Sequence, residues 1–121
     1  MTDQVHEIGG VRVLEIAPDG PPLARAGDVS DFISAAWEHR AALVAIPVGR
    51  LAEDFFHLRT GLAGEAIQKF VNYRIHLAIV GDLSRFTAES SALRDFIHES
   101  NRGDHVWFVT DVAELRERLA R

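Results

Sequence analysis

Six residues carry most of the chemistry that this 121-residue sequence could perform: Arg50, Arg59, Thr60, Asp82, Ser84 and Ser90. Asp82 follows an apolar run, where a carboxylate within hydrogen-bond reach of a substrate could act as a general base. Arg50 and Arg59 are cations of the kind that stabilise an anion developing in a reaction. Thr60, Ser84 and Ser90 bring hydroxyls, and Gly61 frees the backbone beside Thr60. Helix starts at Thr60-Gly61 and Ser90-Ser91 would present free N–H groups, which favour anions. The chemical reading is therefore a compact polar or anionic ligand, or a phosphorylatable hydroxyl. The plainer reading is that Asp82, Ser90 and Asp111 stand where caps and turns require such residues. Capping is the better account of Ser90 and Asp111. For Arg59 and Thr60 the two readings balance, because Arg-Thr-Gly-Leu-Ala-Gly is a costly way to begin a helix.

Other site chemistries find little support. No GxSxG, Walker A or GxGxxG string occurs, and none of the six histidines forms an HExxH or a paired i,i+4 arrangement. His57 lies three residues after Asp54 with no third ligand signalled, so no metal site is expected. Lys69, the only lysine, could act as a nucleophile if desolvated, but a lone lysine on the open side of an amphipathic helix is commoner. Glu99-Ser100-Asn101-Arg102-Gly103 reads as a helix stop with surface salt bridging. Trp37 and Trp107 are more often core or interface anchors than ligand platforms.

The elements that would position these residues follow from periodicity. Gln4–Ile8 and Val11–Ile16 alternate around Gly9-Gly10, a tight hairpin signal. Pro18-Asp19-Gly20-Pro21-Pro22 is a loop. Val29, Phe32, Ile33, Ala36 and Trp37 recur at helical spacing through His39, with Asp28 or Ser30 as cap. Leu43–Pro47 is a strand buried on both faces and ended by its proline. Leu51–Thr60 has no clear assignment, although Phe55 and Phe56 suit a plug at the core's edge. Leu62–Val71 is helical despite Gly61 and Gly64, each about 1 kcal/mol worse than alanine in a helix, a cost that often marks close approach of a neighbour or ligand. Arg74–Val80 is a strand stopped by Gly81-Asp82, Ala92–Glu99 a helix, Asn101–Asp104 a turn, His105–Thr110 a strand, and Asp111 caps a final helix.

The predicted fold is one α/β domain spanning residues 1–121: a mixed sheet of about five strands, an N-terminal hairpin followed by parallel strands, with about four helices. In such a sheet ligands sit beyond the carboxyl ends of the strands, which would gather the six residues along one rim. Composition agrees with a globular protein, at 47% hydrophobic and 26% charged residues. A net charge of −5 and the absence of any Lys/Arg run disfavour nucleic acid. There are no cysteines, no basic-then-apolar leader and no apolar run of membrane-spanning length. A cytoplasmic protein without membrane contact or cofactor is expected.

A hairpin followed by helix–strand repeats resembles the STAS (anti-sigma-factor antagonist) domain. That resemblance implies a regulatory or protein-interaction module. In STAS proteins an Asp-Ser-Ser-Gly-Leu type motif opens a helix, and one of its serines is phosphorylated by a partner kinase. The matching stretch here is Leu58-Arg59-Thr60-Gly61-Leu62: Gly-Leu agrees, Arg59 falls on the phosphoserine and Thr60 on the second serine. A second resemblance is at the level of sequence. Phe56-His57-Leu58-Arg59-Thr60-Gly61-Leu62-Ala63-Gly64-Glu65, Gln68-Lys69-Phe70-Val71-Asn72-Tyr73, Ala78-Ile79-Val80-Gly81-Asp82 and the stretch from Ser91 to Gly103 are similar to a bacterial family, domain of unknown function 4180. This likeness runs from about Val11 to Leu119 and implies no activity. The expected function is a STAS-like regulatory or protein-interaction module acting through Asp54–Gly64, with a protein partner or a second copy of itself. The alternative is a small cofactor-independent enzyme, with Asp82 as base and Arg50 or Arg59 holding a small-molecule anion.

Overall fold

A computed structural model describes residues 2–120. Five strands form one sheet in sequential order, β1 (Gln4–Ile8), β2 (Val11–Glu15), β3 (Leu43–Pro47), β4 (His76–Val80) and β5 (Val106–Val109). The first pair is antiparallel and the other three pairings are parallel. Gly9 and Gly10, at φ +57° and +81°, make the hairpin turn, a backbone that only glycine adopts at no steric cost. Five helices accompany the sheet: α1 (Val29–Glu38), α2 (Leu62–Asn72), α3 (Ser84–Thr87), α4 (Ser91–Arg102) and α5 (Val112–Leu119).

Sequential parallel strands joined by crossovers of one hand place the connecting helices on one side of the sheet. The core follows this arrangement. Leu14, Val44, Ile46, Leu77, Ile79, Val106 and Phe108 point to the face covered by α1, α2 and α4. Alternate residues Val13, Leu43, Ala45, Ala78 and Val109 point to the other face, against Leu115 of α5. Only α5, which follows the last strand and need not return to the sheet, is free to cover that second side. Strands buried on both faces explain why β3 and β4 read as continuous apolar runs rather than alternating ones.

Between β3 and α2 the chain makes three short 3₁₀ turns, Val48–Arg50, Glu53–Phe56 and Leu58–Thr60, and this is the stretch without a periodic signal. Phe55 and Phe56 are both buried, as a core plug requires. Phe56 stacks on Phe86 of α3 with centroids 4.5 Å apart, so α3, a helix of one turn, closes the same edge. Helix α4 runs on through Arg102, past the expected stop at Asn101. The Asn101 amide instead grips β5: its Nδ2 donates to Phe108 O (3.2 Å) and its Oδ1 accepts from Phe108 N (2.7 Å). The amide thus serves the edge strand as a neighbouring backbone would. No helix among the described residues is long and apolar enough to cross a membrane.

Candidate functional site

The carboxyl ends of β2 to β5 open onto the loop after β2, the Val48–Arg50 turn, Gly81–Ser84 and Thr110-Asp111. Arg50 belongs to the second of these and binds the first. Its Nη1 donates to the carbonyls of Ala17 (2.8 Å) and Asp19 (3.1 Å), and its Nε to that of Pro21 (3.1 Å). The guanidinium lies 5.4 Å from the Phe32 ring centroid. It also presses on Gly20, where a Cβ would stand 2.9 Å from the guanidinium carbon. Arg50 lines a cleft of about 200 Å³ together with Asp28, Asp31 and Phe32, and three of its N–H···O contacts are already made to backbone.

The other rim residues, Arg59 excepted, are engaged in the same way. Asp82 Oδ1 accepts from Ser84 N (2.9 Å), which turns the chain into α3. That N–H, and after it the Ser84 hydroxyl, hold the Asp82 carboxyl below the usual carboxylate range. A carboxylate shifted in this direction is a weaker general base than an ordinary one. Ser90 Oγ caps α4 by accepting from Leu93 N (3.1 Å), and Asp111 Oδ1 caps α5 by accepting from Glu114 N (2.8 Å). Thr60 Oγ1 lies within donating distance of the Asp54 and His57 carbonyls (2.8 and 2.9 Å) and accepts from Leu62 N (3.2 Å). Its single hydroxyl proton is therefore already claimed. Gly61, at φ +76°, makes the left-handed step that leads into α2. Gly64 has open space where a Cβ would stand, so no neighbour explains it. Arg59 is exposed and makes no hydrogen bond or ion pair among the described residues. Asp82 and Ser84 are the only two of the six joined directly to each other.

A different surface has the opposite character. On α1, Ser30, Ile33, Ser34 and Trp37 recur at i, i+3, i+4 and i+7, and face Lys69 and Tyr73 from α2 and its C-cap. These six residues line a cleft of about 270 Å³. Trp37 is 63% exposed and Tyr73 51%, the large hydrophobic side chains left outside the core, and they meet edge to face at 5.7 Å. The sequence placed Trp37 on the apolar stripe of α1, yet at 100° per residue it lies about 90° from the centre of the buried stripe formed by Val29, Phe32, Ile33 and Ala36. That angular offset was the available signal for an outward-facing residue. Tyr73 carried no such signal, because it follows the helix rather than belonging to its periodicity.

Trp107 resolves differently. It is half-buried on the α5 face, with Nε1 donating to Gly103 O (2.8 Å) and the Arg118 guanidinium 4.3 Å from the ring centroid. His76, at the start of β4, meets the same ring at 4.1 Å, and its Nε2 is buried with no hydrogen-bond partner. Burial pushes the His76 pKa down to about 4.

Neither any curated protein nor any solved structure matches the chain. Over residues 8–119 it matches the family described as a domain of unknown function (DUF4180), and it belongs to that family.

Proposed function

We propose that this domain is a cytoplasmic regulatory or protein-interaction module of STAS-like architecture, and that its working face is the α1–α2 cleft. One observation carries the reading: Trp37 and Tyr73 stand paired and exposed across the cleft. Exposed aromatics that bury large area with little loss of side-chain freedom are the usual anchors of protein interfaces. The hairpin leading into parallel strand–helix repeats supports the architecture. The rim supports the same choice by contrast. Arg50, Thr60, Asp82 and Ser90 hold loops and helix starts, and the Ser84 N–H holds the Asp82 carboxyl below the usual carboxylate range. The reading therefore prefers the α1–α2 cleft to the Asp54–Gly64 turn and to the catalytic alternative at Asp82.

The test compares capture by immobilised wild-type protein, a Trp37→Ser/Tyr73→Ser variant and Asp82→Asn, all from lysate of the source cells. The expected result is a protein retained by wild type and by Asp82→Asn but lost with the double variant. Calorimetry with that purified partner should then show the same order. Capture that depends on Asp82 and ignores the aromatic pair would overturn the reading.

A further inference from the structure

The polar groups of the α1–α2 cleft have a definite sign, and it deepens the reading above, on which this inference rests. Lys69 is half-buried beside Trp37 and Tyr73, and it makes no hydrogen bond or ion pair among the described residues. Glu65 lies one turn earlier on the same helix, the spacing that favours a Glu–Lys pair, yet no such bridge forms. Arg25, Arg40, Arg59, Arg74 and Arg116 also lack ion-pair partners, but each is exposed to water. Lys69 therefore differs from these exposed cations in being partly desolvated, and from half-buried Arg50 and Arg118, whose guanidiniums donate to backbone carbonyls, in having no partner. A lysine so placed can lay its aliphatic stem against apolar surface and keep its ammonium in water. The hydroxyls of Ser30 and Ser34 line the same cleft and bond to no protein group among the described residues. The cleft thus combines an apolar floor at Ile33, two aromatic walls, one uncompensated cation and two free hydroxyls. No carboxylate lines it.

We propose that the cleft docks an acidic peptide segment of a protein partner: an apolar side chain packed against the Trp37–Tyr73 pair, and an adjacent carboxylate held by Lys69 with Ser30 or Ser34. The argument is one of charge complementarity. A carboxylate placed at Lys69 gains a charge-assisted hydrogen bond in a partly water-excluded setting, where such bonds are roughly twice as strong as neutral ones. A cationic or neutral segment would leave the ammonium desolvated and unpaired, which costs affinity. The protein's net charge of −5 opposes anions at long range, so the preference must arise from contact at Lys69 rather than from the overall field.

The experiment uses the full chain, labelled with ¹⁵N, and two small probes of equal apolar size: 3-phenylpropionate and 2-phenylethylamine. The Trp37 indole N–H resonance is the readout, with that of Trp107 as the internal control. Phenylpropionate is expected to shift the Trp37 signal in a saturable way, at least fivefold more tightly than the amine. Lys69→Gln should abolish the difference and Lys69→Arg should keep it. Raising the salt concentration should shrink it. Equal binding of the two probes would overturn the acidic partner while leaving an interaction cleft in place. Movement of Trp107 alone, or no movement of either indole, would overturn the cleft as well. Lys69→Gln is expected to fold with an unchanged urea midpoint, so loss of binding cannot be read as loss of structure.

Discussion

The rim at the carboxyl ends of the strands and the cleft between α1 and α2 hold similar kinds of residue, yet they differ in what those residues do. At the rim nearly every candidate hydroxyl, carboxylate and guanidinium is bonded to backbone a few residues away or across one loop. In the cleft a lysine, two serines and two aromatics have no such employment. The lesson is that polar residues clustered at a topologically favoured edge are not thereby a site. A loop-rich edge has many unpaired backbone groups of its own, and these must be satisfied first. A face built from two regular helices has none, so a polar or aromatic residue there is free for an outside partner.

The most forceful way to break this comparison is to disturb the rim where it is tightest. Gly81 sits at φ +146°, and a Cβ there would fall 2.6 Å from Val48 Cγ2. Gly81→Ala combines a strained backbone with a clash between two loops. It is expected to lower stability by about 3 kcal/mol in urea unfolding, from the usual costs of left-handed strain and overpacking. Adding Val48→Ala should recover only part of the clash, because Val48 Cβ would still lie 2.9 Å away, and should leave the part due to the backbone. An unchanged midpoint for Gly81→Ala would mean that the rim is loose, and its polar groups would again be candidates for ligand binding.

How much of this was legible beforehand depends on the kind of signal. The hairpin, β3 and the start of α2 were readable because Gly9-Gly10, Pro47 and the 62, 63, 66, 67, 70 spacing are local signals. The hydroxyl and carboxylate caps at Ser90 and Asp111 were readable for the same reason. The turns between Val48 and Thr60 were not, because aromatic contacts from α3 fix them and no periodicity does. Asn101 looked like a helix stop, and only the folded position of β5 shows it as an edge clasp. Arg50, Asp82 and Ser84 follow closely on the ends of β3 and β4, but the hydrogen bonds of the candidate residues depend on distances that sequence spacing does not encode. The cleft was missed because Trp37 was counted as part of a stripe whose buried centre lies elsewhere.

His76 sharpens the comparison, since its Nε2 is also unengaged but lies inside rather than outside. Burial holds it neutral, and nearby Arg118 and His105 add to that while Asp104 opposes it. Its folded pKa of about 4 lies below the ordinary 6.5, so the unfolded chain takes up the proton first as pH falls. Stability is then fully present above pH 6.5 and declines between about 6.5 and 4. After discounting for the ring's partial contact with solvent, the loss should be about 1–2 kcal/mol. Unfolding midpoints for wild type and His76→Leu across this range should diverge in slope. Parallel curves would mean that the imidazole is solvated in the folded state, and the distinction between inner and outer unengaged groups would fail.

The smallest effect concerns Gly64, which lies within the α2 stretch of the rim sequence yet meets nothing. It is exposed in the first turn of a helix, where alanine is the better residue by up to about 1 kcal/mol. Gly64→Ala is therefore expected to stabilise the protein by about 0.5–1 kcal/mol. Gly61→Ala, at the N-cap of the same helix with φ +76°, should do the reverse. Together the pair separates a glycine required by backbone geometry from one that the isolated fold does not need. If Gly64→Ala gains stability and still captures the partner, the helix start is structural throughout and the cleft stands alone. If it gains stability but loses the partner, another backbone packs against residue 64 in the complex, and a second contact lies on a side of α2 about 140° around from Lys69.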